Sequence, residues 1–274
     1  STGFDVVYAS RADIDVSNLV TTQKAISLIN PNAVVNATAY TAVDEAEDDQ
    51  NTAAEINHFA VANLAKICNQ LDCWLVHVST DYVFDGLSLR PYREDDLTNP
   101  LGVYGETKLK GEHAIQASGC KYLILRTAWL FSEYGTNFLK TMLVLGANRE
   151  ELNIVGDQIG CPTYGQDIAK VIVTILPKLN SQTLASGIIH YCGNTPCSWY
   201  EFASVIFEES KQLGLKTPKF INSINTADYP TRASRPTYSV LACSKISNMF
   251  GIPPSNWRHG IKCALARIQA KNES

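Results

Sequence analysis

The chain has 274 residues, of which 45% are hydrophobic and 18% are charged, so it is long enough to bury a large core in one α/β domain or in two closely packed ones. Its formal net charge of −4 argues against a nucleic-acid-binding or anionic-membrane-binding surface. The sequence has neither an apolar run of transmembrane length nor a signal-peptide pattern in its first residues, so we expect a protein of the cytoplasm.

The first two-thirds of the chain alternates between predicted strands and predicted helices. Apolar runs predict strands at residues 4–10, 33–38, 73–80 and 121–131, and helical spacing predicts helices at residues 20–30, 53–71 and 105–118. Strands that lack polar alternation and are joined by helices are typical of a parallel sheet covered on both faces. We therefore predict an α/β fold with a doubly wound, Rossmann-type parallel sheet.

The pattern changes after residue 131. Helices are predicted at residues 137–150, 166–179, 198–214 and 256–271, a strand at 187–193 and a loop at 227–240. We predict that residues 1–150 form the sheet domain, to which a helix and a strand near 166–193 return. Residues 151–274 would form mainly a smaller C-terminal lobe.

Three predicted strands end in polar segments, at residues 36–41, 79–82 and 126–129. Ligands of an open parallel sheet bind outside the carboxyl ends of its strands. In the next predicted helix, Tyr104 and Lys108 lie one turn apart on the same face. We expect all of these groups to converge on one cleft, although Ser, Thr and Asp at strand ends also cap ordinary loops.

The pairing of Tyr104 with Lys108 predicts proton-transfer chemistry. Free tyrosine has a pKa of roughly 10 and is a poor base, but a neighbouring lysine cation lowers that pKa. With the hydroxyl of Thr80 to orient the same oxygen, this set could exchange a proton with an alcohol or ketone while a nicotinamide exchanges a hydride. The alternative is a tyrosine that caps the core beside a solvated lysine.

The motifs STDYVFDG (79–86), YGETK (104–108) and RTAW (126–129) resemble those of the extended short-chain dehydrogenase/reductases and, more closely, the dTDP-4-dehydrorhamnose reductases. Residues 36–44, residues 156–163 and the region of Arg235 extend the resemblance over essentially the whole chain. It implies NAD(P)H-dependent reduction of the C4 keto group of dTDP-4-dehydro-L-rhamnose to dTDP-L-rhamnose, for cell-surface polysaccharide synthesis. Residues 1–150 would then hold the nucleotide cofactor, and the C-terminal lobe would hold the substrate.

The resemblance also implies individual roles. Tyr104 would protonate the C4 oxygen, Lys108 would lower the Tyr104 pKa and hold the nicotinamide ribose, and Thr80 would complete the catalytic set. The implied cofactor contacts are Asp15, Val16, Ala39, Tyr40, Thr41, Val78, Tyr104 and Lys108. The implied substrate contacts are Thr80, Asp81, Trp129, Arg232 and Arg235. Core packing is the alternative for Trp129, and simple surface charge is the alternative for the two arginines.

The choice of cofactor depends on Arg11, which follows the predicted strand at residues 4–10. An arginine there can pair with a 2′-phosphate, so we expect NADPH to be preferred over NADH. The family opens with a G-x-x-G-x-x-G turn that receives the cofactor pyrophosphate, and no such turn occurs in the 274 residues. We expect these residues alone to bind cofactor poorly, and an addition of about 25 residues ending in such a turn to restore binding.

No metal site is expected. Gln166 stands where the resemblance implies that some family members carry an acidic ligand for magnesium at a dimer contact, so this chain is expected to lack that metal site. A homodimer is left open, because the sequence does not determine the oligomeric state. The eight cysteines and five histidines show no C-x-x-C pair and no other ligand spacing, which predicts free, buried thiols.

Two other functions compete with the leading one. The first is a reductase or epimerase of another nucleotide sugar. The second is a non-catalytic regulatory subunit of the same fold, such as that of methionine adenosyltransferase. The intact set of Thr80, Tyr104 and Lys108 argues against a loss of catalysis, whereas the absence of the glycine-rich turn argues for it.

Overall fold

The centre of the structure is a sheet of four parallel strands, seen in a computed structural model that describes residues 3–179 and 185–272. Numbered in chain order, the strands are β1 (Ala33–Asn36), β2 (Trp74–Thr80), β3 (Lys121–Thr127), β4 (Leu130–Phe131), β5 (Glu151–Val155), β6 (Ile159–Gly160), β7 (Thr163–Tyr164), β8 (Gly187–His190), β9 (Cys197–Ser198) and β10 (Phe220–Ile224). The α-helices are α1 (Leu19–Ile29), α2 (Val43–Ala46), α3 (Gln50–Ala54), α4 (Ala60–Gln70), α5 (Val103–Ala117), α6 (Phe138–Asn148), α7 (Gly165–Ile175), α8 (Trp199–Gln212), α9 (Ser244–Phe250) and α10 (Trp257–Asn272).

The central sheet has the spatial order β1-β2-β3-β8 and is covered by helices on both faces. On one face Val76 of β2 shares a buried cluster with Ile168 of α7. On the other face Leu75 of β2 packs with Val61 of α4 and Ile115 of α5. Successive strand residues point to opposite faces, so an unbroken apolar strand must be buried on both. The predicted doubly wound parallel sheet is confirmed.

Residues 4–10, which were predicted to form a strand, do not form one. They begin with a bend, continue as irregular backbone and are unpaired with β1, and Val7 and Tyr8 are 60% and 88% exposed. The preference of Val and Tyr for strands reflects how they pack on a half-buried sheet surface, and it has no effect where no neighbouring strand supplies that surface. In the described residues β1 is an edge strand of the central sheet.

A smaller lobe is built mainly from the C-terminal part of the chain. Strands β5 and β10 pair in parallel, and a separate core around Phe202 of α8 and Trp257 of α10 joins these elements to α6. Helix α8 begins at a capping box, in which Ser198 and Glu201 each accept a hydrogen bond from the other's backbone N–H. Strand β8 belongs to the central sheet, so both halves of the chain contribute to that sheet. The boundary at residue 150 stays a prediction.

The described thiols are free and mostly inside the protein. Seven of the eight cysteines are buried, and Cys263 is half-buried. Within residues 3–179 and 185–272, none of the helices combines the length and the apolar character that a membrane crossing requires.

Candidate active site

The carboxyl ends of β2 and β3 lie beside the first turn of α5. Thr80 and Thr127 are opposite each other in the parallel register, and a short 3-10 turn carries Asp81 directly after β2. The Thr80 hydroxyl donates to Asp81 Oδ1 at 3.2 Å and is also hydrogen-bonded to the Tyr104 hydroxyl. The structure thus brings together Thr80, Asp81 and Tyr104, three residues predicted for the site.

The Tyr104 side chain is half-buried, and its loss of hydration dominates its ionisation. Burial raises the pKa of Tyr104 to about 12, against the lowering effect of its hydrogen bond with Thr80. The charge of Asp81 raises this pKa further. Tyr104 is therefore protonated at neutral pH. The net shift of this pKa is upward, opposite to the predicted one, because loss of hydration outweighs the other influences on the phenol. A separate effect of Lys108 on Tyr104 stays a prediction.

Lys108 is 1% exposed and lies against β2. Its Nζ donates to the carbonyl oxygen of Val78 at 2.8 Å and lies 3.2 Å from His77 Nε2. Burial lowers the pKa of Lys108 to about 8, although the carboxylate of Glu112 favours the charged form. The lysine therefore stays mostly charged at neutral pH, although it loses its proton more easily than an exposed lysine does. His77 was not predicted for the site, because it lies inside an apolar strand rather than at a strand end.

Two buried oxygen atoms at this edge of the sheet have no hydrogen-bond partner within the described part of the chain, Asp81 Oδ2 and Thr127 Oγ1. Burial raises the pKa of Asp81 to about 6, and the neighbouring hydroxyl groups of Ser239 and Thr80 act against this shift. Buried polar atoms normally have a partner, and an orphaned one is expected where a ligand supplies it. These oxygens fit a polar ligand such as the hydroxyl groups of a sugar.

A π-helical turn at Glu55–Phe59 lies between α3 and α4 in the chain. It contacts both the segment after β1 and helix α5. Asn57 accepts from the backbone N–H of Tyr40 at 2.9 Å and donates to its carbonyl at 3.1 Å. The same amide donates to Thr107 Oγ1 at 3.2 Å. The sequence predicted one continuous helix over residues 53–71 and so missed this turn, which often marks functional sites. Asn57 therefore holds the segment of Ala39, Tyr40 and Thr41 against the helix that carries Tyr104.

Trp129 is half-buried beyond the end of β3, with a backbone φ of 47° in the left-handed region. Its ring is stacked on Trp199 at 3.5 Å between centroids and 6° between planes. A Cβ atom at Gly160 would lie 2.4 Å from the Trp129 indole, so only glycine allows this approach. Trp199 in turn donates from Nε1 to Gln158 Oε1 at 3.2 Å. Trp199 was not predicted for the site, because only its place at the start of a predicted helix is visible in the sequence.

Arg232 and Arg235 lie on a loop that contacts the sheet domain. Arg232 is ion-paired with Asp48, and both side chains are exposed. Arg235 forms a two-pronged ion pair with Asp44 of α2, with Nη2 2.6 Å from Oδ2 and Nη1 3.1 Å from Oδ1. Its guanidinium is also hydrogen-bonded to the hydroxyl of Tyr82. Both arginines therefore have carboxylate partners, and their contact with a diphosphate stays a prediction.

The residues predicted for the adenosine end of the cofactor lie around the start of α1. The Asp15 carboxylate accepts from the backbone N–H and the hydroxyl of Ser17, at 3.1 and 2.7 Å. Val16 packs against the buried cluster of α1 and α4, and Arg11 is exposed. No described contact joins these three residues to Tyr104 or Lys108, so their role stays a prediction.

Gln166 lies in the first turn of α7. Within residues 3–179 and 185–272, no group of three or more His, Cys, Asp and Glu side chains is placed to hold a metal ion.

Residues 1–270 match a protein family described as RmlD substrate binding domain. A dTDP-4-dehydrorhamnose reductase of Aggregatibacter actinomycetemcomitans is 43% identical over 261 residues, which cover 94% of this chain and 89% of the relative. The enzyme of the same name from Escherichia coli (strain K12) is 39% identical, over 93% of this chain and 85% of the relative.

Solved structures show the same similarity. A dTDP-4-dehydrorhamnose reductase of Clostridium acetobutylicum matches with a TM-score of 0.89 at 36% identity, over 97% of this chain and 91% of that one. The structure of the Bacillus anthracis enzyme in complex with NADP matches with a TM-score of 0.86 at 33% identity, over 96% and 90%. Since the family match and these relatives extend over nearly the whole sequence, the chain belongs to the dTDP-4-dehydrorhamnose reductase family.

Proposed function

We propose that the protein reduces the C4 keto group of dTDP-4-dehydro-L-rhamnose to give dTDP-L-rhamnose, with NADPH or NADH as the reductant. The observation that carries this proposal is the set of Thr80, Asp81 and Tyr104 at the carboxyl edge of the sheet, beside two buried oxygens without partners. Relatives that align with 94% and 93% of this chain carry this enzyme name. As a consumer of a nucleotide sugar, the protein is expected in the cytoplasm.

The residues at the nicotinamide end fit such a cofactor. Polar groups lie at the ends of two neighbouring strands. They are the Lys108 amine, next to β2, and the backbone of residues 39–41, after β1. Asn57 fixes this second segment. Lys108, Val78 and Tyr40 would hold the nicotinamide ribose, and Asp15, Val16 and Arg11 would lie toward the adenosine. When bound, the reduced nicotinamide supplies a hydride to the C4 carbon.

The chain's own residues supply the proton. Tyr104 keeps its proton at neutral pH because its pKa is raised to about 12, so it can donate to the far more basic oxygen that forms at C4 during reduction. Thr80 orients the phenol through their shared hydrogen bond. Asp81 would accept a hydrogen bond from a sugar hydroxyl, and the Trp129 ring would cover one face of the sugar. Arg235 and Arg232 would face its diphosphate.

Product analysis separates this function from its alternatives. Full-length protein is incubated with NADPH and dTDP-4-dehydro-L-rhamnose while the nicotinamide absorbance is followed, and the product is identified by NMR. We expect one NADPH to be consumed for each dTDP-L-rhamnose formed. Turnover only with other 4-keto nucleotide sugars would favour the first alternative. Tight binding of a partner enzyme without consumption of NADPH would favour the regulatory subunit. Size-exclusion chromatography with light scattering then decides between monomer and homodimer.

We further propose that NADPH is preferred to NADH. Arg11 is exposed and therefore free to approach a 2′-phosphate. A charge-assisted hydrogen bond to that phosphate would be worth about tenfold in affinity or more. Replacing Arg11 by Ala should therefore lower kcat/KM for NADPH by about that factor and leave kcat/KM for NADH unchanged. Equal efficiency of the wild type with both cofactors, or an unaltered preference in Arg11→Ala, would contradict the assignment.

A further inference from the structure

A row of polar side chains crosses the central sheet next to its carboxyl edge. Ser79, Arg126 and His190 lie opposite one another in the parallel registers of β2, β3 and β8. Each of them is at most 4% exposed. Charged side chains are almost never buried to this extent without a partner, so the guanidinium of Arg126 requires one. The partner comes from α5, where Glu112 is 1% exposed.

The Glu112 carboxylate binds two members of this row. The Ser79 hydroxyl donates to Oε1 at 2.5 Å, and Arg126 donates from Nε to Oε1 at 3.0 Å and from Nη2 to Oε2 at 2.6 Å. A guanidinium that binds a carboxylate through two nitrogen atoms allows only one relative orientation of the two groups. Glu112 is therefore fixed relative to both β2 and β3, along the strands as well as across them.

The other side of Arg126 is held by the neighbouring strand and by an aromatic ring. His190 Nδ1 lies 3.1 Å from the Tyr92 carbonyl oxygen, which can only accept, so this nitrogen donates. Burial lowers the pKa of His190 to about 3, so the ring is neutral and its Nε2 accepts from Arg126 Nη1 at 3.5 Å. The guanidinium carbon also lies 5.2 Å from the centre of the Phe84 ring, within range of a cation–π interaction. Arg126 is thus held in place independently of Glu112.

A buried ion pair adds little to stability but restricts alignment. Moving two charges from water into a protein interior is costly, and replacing a buried ion pair by apolar side chains of similar volume is often neutral or stabilising. An apolar contact tolerates sliding of a helix along a sheet, whereas a two-pronged ion pair does not. Fixing the register of neighbouring elements is the best-attested use of buried polar groups.

The alignment of α5 matters because Tyr104 and Glu112 lie on the same face of this helix, two turns apart. On β2, Ser79 directly precedes Thr80, whose hydroxyl is hydrogen-bonded to that of Tyr104. The length of a hydrogen bond between two hydroxyl groups varies over only about 0.5 Å. A slide of α5 by about 1 Å along β2 would therefore stretch the contact between Thr80 and Tyr104 beyond that range.

We propose that Glu112 and Arg126 are positioning residues of the reductase site, whose buried ion pair fixes α5 on the sheet so that the Tyr104 hydroxyl meets Thr80. Neither residue contacts the reacting atoms in this role. The importance of the pair for turnover rests on the proposed function, whereas its effect on the place of Tyr104 does not.

An apolar replacement of the network separates alignment from stability. The variant Ser79→Ala, Glu112→Met, Arg126→Met removes the ion pair and its hydroxyl donor together, so no charge is left buried without a partner. We expect its midpoint of thermal unfolding to stay within about 3 °C of wild type or to rise. We expect kcat to fall by about tenfold or more, with KM for the nucleotide sugar changed by less than about threefold. A kcat within about twofold of wild type would overturn the proposal, and so would a large drop in the midpoint, because the pair would then support the fold itself.

Arg126→Lys separates the geometry of the pair from its charge. A lysine keeps the positive charge beside Glu112 but cannot bind both carboxylate oxygens through two fixed nitrogen atoms. We therefore expect kcat of this variant to fall by about fivefold or more, again with little change in KM. Wild-type kcat in Arg126→Lys would show that the charge alone suffices and would contradict the proposal.

The place of Tyr104 can be followed without a reductase assay. Full-length protein is labelled with tyrosine that carries ¹³C at the ring carbon bonded to the hydroxyl, and the Tyr104 signal is identified by its loss in Tyr104→Phe. We expect one narrow NMR signal in wild type and a shifted or broadened one in the apolar variant. A signal with the wild-type position and width in that variant would overturn the proposal. A failure of the proposed function would leave this measurement unchanged.

A matched network in the C-terminal lobe provides the control. The Glu133 side chain is 1% exposed, and its carboxylate receives the Arg267 guanidinium at 2.5 Å and the Tyr164 hydroxyl at 3.1 Å. This network joins α10 to the segment after β4, whereas that of Glu112 joins α5 to the sheet. The variant Tyr164→Phe, Glu133→Met, Arg267→Met should therefore leave kcat within about twofold of wild type and the Tyr104 signal in place. An equal loss of kcat in both apolar variants would contradict the proposal.

Discussion

Two acids in the cleft, the buried Asp81 and the half-buried Tyr104, influence each other's ionisation. Burial raises the pKa of Asp81 to about 6, and the ionised Asp81 in turn raises the pKa of Tyr104. At neutral pH the carboxyl group is therefore charged at a cost in hydration, while the phenol keeps its proton. This combination suits a site that accepts a sugar hydroxyl at Asp81 and donates a proton from Tyr104.

The cost of burying Asp81 predicts a pH-dependent gain in stability for Asp81→Asn. The carboxyl pKa rises from 3.8 to about 6 on folding, so the folded state holds its proton more tightly, and stability is lost as the pH rises through this window. The free energy of unfolding of Asp81→Asn relative to wild type should grow between pH 4 and pH 7, by about 3 kcal/mol at most. Urea denaturation of both proteins across this range measures the difference. A difference that does not change with pH would contradict the assignment.

The sequence predicted which residues form the site better than it predicted the interactions between them. Thr80, Asp81 and Tyr104 were found because polar residues at strand ends and an i, i+4 pair are visible in a sequence. His77 and Trp199 were not found, because their roles depend on partners far along the chain, Lys108 and Trp129. The sign of the Tyr104 shift was also missed, since burial depends on the whole surrounding fold.

Helix α5 is the element on which the site depends, because it carries Tyr104 and Lys108. It packs closely against the π-helical turn at Glu55–Phe59, where Gly111 faces the carbonyl oxygen of Asn57. A Cβ atom at residue 111 would lie 2.3 Å from that oxygen, which is backbone and cannot move aside easily. The position of the helix and therefore that of Tyr104 depends on this glycine.

Replacing Gly111 by Ala should both destabilise the protein and slow turnover. Overpacking of this kind costs about 1–3 kcal/mol, and a shift of the catalytic helix by about 1 Å lowers kcat by up to about 10²-fold. Gly165→Ala is the matched control, because a Cβ atom there would meet its nearest neighbour at 3.4 Å, an ordinary contact. Thermal unfolding and steady-state kinetics on both variants provide the comparison. Equal effects of the two substitutions would contradict this account of α5.

The elements themselves were largely predictable from periodicity. Helices α1, α6 and α8 lie close to their predicted bounds, and β2 does as well, since amphipathic or unbroken apolar runs depend mostly on local sequence. The π-helical turn was not predictable, because the extra residue in a helix leaves almost no mark on the apolar spacing. The strand predicted at residues 4–10 failed because a strand needs a hydrogen-bonded neighbour.

In the molecule as a whole, the loop at residues 227–240 joins the C-terminal lobe to the sheet domain. Its contacts with α2 and the following segment are the ion pairs of Arg235 with Asp44 and of Arg232 with Asp48, together with a hydrogen bond from the Ala233 N–H to Asp44. The Arg235 guanidinium holds the pKa of Asp44 below its usual range. Arg235 therefore positions the loop and would also offer charge to a diphosphate.

Replacing Arg235 by Ala should raise KM for the nucleotide sugar by about tenfold or more, because a charge-assisted contact and the position of the loop are both lost. Arg90→Ala is the control: Arg90 makes an equally close two-pronged pair with Asp96, at 2.7 and 2.8 Å, within one surface segment. We expect Arg90→Ala to leave KM within about twofold of wild type, as is usual for a surface ion pair. Similar KM values for the two variants would rule out a substrate role for Arg235.

The central claim is that Tyr104 donates the proton during reduction of the 4-keto sugar, and turnover of Tyr104→Phe tests it most directly. NADPH oxidation by full-length wild type and Tyr104→Phe is compared at saturating dTDP-4-dehydro-L-rhamnose, with substrate binding measured separately by calorimetry. The substitution keeps the aromatic ring and removes only the hydroxyl, so we predict that kcat falls by roughly 10²-fold or more while substrate affinity changes little. Near wild-type turnover of Tyr104→Phe would contradict the mechanism.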